Sequence, residues 1–73
     1  MKTYVLQSSG LAHAPGIVAW AINGAHFKRD RAKMIDVISK TWSIPKEDAS
    51  QLVLEKVPYT VTDDNCVTFN TGE

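Results

Sequence analysis

Few residues in this chain belong to types that do chemistry, and none of them is placed for catalysis. The candidates are His13, His26, Cys66 and the adjacent pair Asp63-Asp64. A nucleophile or general base needs a partner that activates or orients it. Cys66 is the only cysteine and has no histidine or basic residue close in sequence to depress its pKa. It cannot form an internal disulfide, and no His/Cys cluster has zinc-ligand spacing. His13 lies in a loop with no second ligand nearby, so polar surface is the simpler reading. Asp63-Asp64-Asn65 resembles the opening of a divalent-ion loop, but the further acids and the glycine of the calcium pattern are missing. Turn chemistry accounts for these three residues. The expectation is a non-enzymatic protein without metal or cofactor.

Charge is more informative. Lysine plus arginine and aspartate plus glutamate number 8 each, so the formal net charge is zero, but the two signs are segregated. Residues 1–46 hold seven basic side chains against Asp30 and Asp36, while residues 47–73 hold six acidic ones against Lys56. Such asymmetry concerns partners rather than fold. Carboxylates of the second half can dock on an Arg/Lys surface, including one that normally holds nucleic acid. Asp63, Asp64, Glu47 and Asp48 are the acidic contact candidates, and Arg29, Lys33 and Lys40 the basic ones. The simpler alternative is that both sets are solvated and partly neutralise each other.

These residues need a scaffold, and 73 residues suffice for one domain (1–73) near the lower size limit of a self-sufficient core. A hydrophobic share of 44% excludes disorder. The longest apolar run, 17–22, is too short to span a bilayer, and no basic-apolar-small leader opens the chain. With its single cysteine, the chain is expected in a reducing cytoplasm.

The clearest periodicity runs from Phe27 to Trp42. Phe27, Met34, Ile35, Ile38 and Trp42 share one arc of a helical wheel, opposite Arg29, Lys33, Asp36 and Lys40. This predicts an amphipathic helix starting between His26 and Asp30. A second helix is predicted from Ser43-Ile44-Pro45-Lys46-Glu47-Asp48, with Ala49, Leu52 and Val53 inward and an end before Pro58. Residues 3–8 read as a strand and 8–16 as a loop.

Residues 17–22, IVAWAI, fit two structures. A strand followed by an Asn23-Gly24 turn is preferred, paired with the first strand. The alternative is a helix with Pro15 near its start and Gly24 as its stop, against which Gly16 and the β-branched Ile17-Val18 weigh. Tyr59 to Phe69 reads as a hairpin. Val61 opposite Val67 and Tyr59 opposite Phe69 require the three-residue loop Asp63-Asp64-Asn65, with Asn65 left-handed. Asn70 to Glu73 read as a loose tail. The predicted fold is α+β, in β-β-α-α-β-β order, with two helices packed on one face of a small antiparallel sheet. Trp20, Phe27, Ile38 and Trp42 are assigned to its core.

Two resemblances bear on function. Ile38, Trp42, Ile44, Ala49 and Leu52 fall where a helix-turn-helix places apolar residues, so the spacing resembles that motif, and the hairpin after it resembles the wing of a winged helix. The chain departs from the pattern where the turn usually has glycine, here Trp42 or Ser43. This implies DNA binding as the alternative function, although acids stand at both expected contact points, Glu47-Asp48 and Asp63-Asp64. The segment VPYTVTDDNCVTF (57–69) resembles the endings of small uncharacterised phage and prophage proteins. That implies a host-directed inhibitor or regulator, of anti-CRISPR-like or anti-restriction type, acting on a partner protein.

Overall fold

The computed structural model describes residues 2–27 and 30–72. Along the chain come β1 (Lys2–Leu6), α1 (Ala14–His26), α2 (Arg31–Trp42), α3 (Lys46–Val53), β2 (Tyr59–Val61) and β3 (Val67–Thr71). The strands form one antiparallel sheet in the order β1-β3-β2. The α+β class therefore holds, but the order is β-α-α-α-β-β, with three helices among the described residues rather than two.

The difference lies in residues 17–22, which are helical and form the middle of α1. Pro15 occupies the first turn, where its missing N–H costs nothing, and the His13 Nδ1 caps the helix by accepting from the Gly16 amide at 3.1 Å. Ala14, Val18, Ala21 and Ala25 then make a stripe at helical spacing, each at most 3% exposed. Burial of that stripe outweighs the few tenths of a kcal/mol by which Ile17 and Val18 disfavour a helix. Asn23-Gly24 is not a hairpin turn; both residues lie inside α1. Trp20, expected in the core, is 39% exposed because it lies off this stripe.

With 17–22 removed from the sheet, β1 takes β3 as its partner, from Lys2 opposite Thr71 to Leu6 opposite Val67. This overturns the loose tail as far as Asn70 and Thr71. Both lie in β3, Thr71 is 2% exposed, and the Gly72 amide donates to Gln51 Oε1 at 3.0 Å. Glu73 lies outside the described residues. The β2–β3 hairpin has the expected register, Tyr59 opposite Phe69 and Val61 opposite Val67, and Asn65 has φ 59°.

Asp30 caps α2 by accepting from the Lys33 amide at 3.2 Å, so the helix begins at Arg31. Phe27 therefore precedes it and is 74% exposed, contrary to its assignment to the core. Met34 and Ile38 are buried, and Ile35 and Trp42 pack against the core while partly exposed. The Trp42 Nε1–H donates to the Gln7 carbonyl at 2.9 Å, which fastens the end of α2 to the end of β1. Ser43 follows in the left-handed region (φ 54°), and the Ile44 amide closes on the Ser39 carbonyl at 3.0 Å. Ser43 thus supplies the backbone that glycine usually gives this turn.

The core forms where the helices meet one sheet face. Leu6, Val67 and Phe69 lie under Val18, Ile38, Leu52 and Val53, all at most 1% exposed. The other face carries Thr3, Val5, Thr60 and Asn70, all exposed. Tyr59 and Val61 are on the helix side but stay exposed at 38% and 48%, since the helices cover β1 and β3 more fully than β2.

Candidate functional site

Asp63 and Asp64 occupy the tip of the β2–β3 hairpin, and both are exposed. The turn beneath them is closed by Thr62 N–H to the Cys66 carbonyl at 2.9 Å and Asn65 N–H to the Thr62 carbonyl at 3.0 Å. The Ser8 hydroxyl donates to the Asn65 carbonyl and accepts from the Ala14 amide at 2.8 Å. The tip is thereby anchored to the start of α1. Neither aspartate forms an ion pair with another described residue.

The two acids of α3 divide. Glu47 is exposed in the first turn. Asp48 is turned inward at 8% exposure, where its carboxylate accepts from the Tyr4 hydroxyl and lies 3.9 Å from the Lys2 ammonium. Asp48 is thus a tie between α3 and β1 and not part of an outward acidic surface. Its neighbour Tyr4 stacks on Phe69 with ring centroids 5.4 Å apart. The Tyr4 pKa is raised above its ordinary 10.0, chiefly by the hydrogen bond to Asp48, then by burial and by the negative charges of Asp48 and Glu47.

Strand register separates these acids from the hairpin tip. Tyr4 is level with Phe69, and the tip begins past Cys66, roughly 10 Å farther along the strand at ~3.3 Å per residue. The four acidic candidates therefore do not make one patch. Of the basic candidates, Lys40 pairs with Asp36 at 3.1 Å, and the same carboxylate meets Lys46 at 3.7 Å. Lys33 is exposed without an ion pair among the described residues, and Arg29 lies outside them.

A second charged feature escaped sequence reasoning. At the far end of α1, Ala25, His26, Arg31, Val53, Leu54 and Lys56 line a cavity of about 290 Å³. Lys56 has φ 54°, and its ammonium lies 3.2 Å from His26 Nδ1. Arg31 Nε donates to the Ala25 carbonyl at 3.3 Å. The only sequence signal for this meeting was a lone base, Lys56, just before Pro58 in an otherwise acidic half. A helix of 13 residues, about 20 Å at ~1.5 Å per residue, runs between the anchored acidic tip and this basic end.

No helix among the described residues is long and apolar enough to cross a membrane. No protein-family model matches the chain, and neither the curated proteins nor the solved structures give a match.

Proposed function

We propose that this chain is a small non-enzymatic binding module that docks on a basic surface of a partner protein through Asp63 and Asp64. One observation carries the reading: two exposed carboxylates, unpaired among the described residues, sit on a turn whose backbone is fixed by hydrogen bonds to its own strands and to Ser8. A preorganised pair loses little freedom on binding and can accept charge-assisted hydrogen bonds from Arg or Lys. Glu47 and Lys33, both exposed, are available to peripheral contacts, whereas Asp48 is buried against Tyr4 and Lys40 forms a surface ion pair with Asp36. The expected setting is the cytoplasm, and the expected role is inhibition or regulation of a nucleic-acid-handling system, as in a phage-type anti-CRISPR-like or anti-restriction protein. Paired affinity captures with the wild type and an Asp63→Asn/Asp64→Asn double variant test this. A partner retained by the first and lost by the second supports docking through the tip, and equal capture by both refutes it.

A second reading, a winged helix-turn-helix-like DNA binder, is favoured by topology. Two helices joined through left-handed Ser43 lead into a hairpin that β1 extends into a sheet. Electrostatics opposes it, because α3 exposes Glu47 and the hairpin tip exposes Asp63 and Asp64 where phosphates would approach. A mobility shift with random duplex at low salt would favour DNA binding over protein docking.

A further inference from the structure

We infer that the cavity between the C-terminal ends of α1 and α3 and the start of α2 is a binding site for the phosphate group of a small phosphate ester. This is independent of the acidic tip. The walls supply a guanidinium from Arg31, an ammonium from Lys56 and an imidazole from His26. Neither Arg31 nor Lys56 has a carboxylate within 4.0 Å among the described residues. Elsewhere among the described residues Lys2, Lys40 and Lys46 each have an acidic partner and Lys33 stands alone, whereas the basic end brings two cations without one to a single cavity.

Local geometry holds the donors in place. Arg31 is fixed through Nε on the Ala25 carbonyl, and its terminal nitrogens have no acceptor among the described residues. Lys56, whose backbone is left-handed, meets His26 across 30 residues of chain. A non-glycine residue pays roughly 1 kcal/mol for that conformation, so glycine would suit the turn better and lysine contributes its side chain. An ammonium has no lone pair, so Lys56 can act only as the donor to His26 Nδ1.

Three nitrogen groups of different shape, arriving from α1, α2 and the segment after α3, suit a tetrahedral oxyanion better than a planar carboxylate. The rest of the cavity is apolar, with buried Ala25 and Val53 and exposed Leu54. Phe27 stands beside it, 74% exposed and edge-on to His26 at 5.3 Å. About 290 Å³ lies just below the ~300–1,000 Å³ of small-molecule pockets, which limits the occupant to a small ester.

The test is an amide and side-chain NMR titration of the intact chain with inorganic phosphate, AMP, adenosine and acetate. Phosphate and AMP should shift the resonances of His26, Arg31, Leu54 and Lys56 with millimolar or tighter affinity, AMP binding the more tightly. Adenosine and acetate should leave them unmoved. Arg31→Gln and Lys56→Gln should each weaken AMP about tenfold. Lys56→Gly, which suits the left-handed backbone and keeps the turn, should weaken it as much without loss of fold. Unmoved resonances with both phosphate and AMP at about 10 mM would overturn the proposal. Equal shifts with adenosine or acetate, or undiminished binding in the variants, would do the same.

Discussion

The Tyr4 hydroxyl donates a hydrogen bond to the Asp48 carboxylate across 44 residues of chain, tying β1 to the first turn of α3. This contact raises the Tyr4 pKa and thereby links stability to pH. A raised pKa means that the fold favours the protonated phenol. The resulting stability is fully present below the unfolded value of 10.0 and is lost as pH rises through the higher folded value. The denaturation midpoint of the wild type should therefore fall above pH 10 more steeply than that of Tyr4→Phe. Tyr4→Phe should also be the less stable of the two at neutral pH.

Removing the other partner should be costly under ordinary conditions. Asp48→Ala leaves the inward hydroxyl of Tyr4 without its acceptor and removes the ion-pair partner of Lys2. Urea denaturation at pH 7 should report a loss of about 1–3 kcal/mol. Glu47→Gln, one residue earlier and exposed, should stay within about 0.5 kcal/mol of wild type.

The end of the chain is structural as far as Thr71. Truncation after Phe69 removes Asn70 and the buried Thr71, the β3 residues opposite Thr3 and Lys2. It should cost about 2–4 kcal/mol, since each lost hydrogen bond contributes ~0.5–1.5 kcal/mol and apolar surface is uncovered as well. A truncated form as stable as the full chain would contradict the β1–β3 register.

The hairpin turn makes a sharper prediction. Asn65 has φ 59°, which glycine adopts freely and a β-branched residue resists. Asn65→Gly should be neutral to within a few tenths of a kcal/mol. Asn65→Val should cost about 1–2 kcal/mol in the same urea assay. It should also loosen the placement of Asp63 and Asp64.

What the sequence could disclose followed how local each determinant is. The hairpin register was readable because Asp63-Asp64-Asn65 and the Tyr59/Val61 and Val67/Phe69 alternation agree within 11 residues. Most of α2 was readable from Met34, Ile38 and Trp42, although the Asp30 cap excludes Phe27 from it. The middle of α1 was not readable, because IVAWAI is apolar at every position and satisfies strand and helix periods alike. A strand at 17–22 would take the place of β3 beside β1 and leave Asn70 and Thr71 without a role. At the site, the exposure of Asp63 and Asp64 follows from turn chemistry, while the burial of Asp48 depends on Tyr4, a distant residue. The basic end was hidden for the same reason, since Lys56 meets His26 only once α1 and α3 are packed.

Docking through the hairpin tip is tested most directly by the dissociation constant of the captured partner, measured for the wild type and for Asp63→Asn/Asp64→Asn at low and high salt. The account predicts weakening by about tenfold or more in the double variant, and a smaller difference as salt screens the contact. Equal dissociation constants for the two proteins at low salt would contradict it.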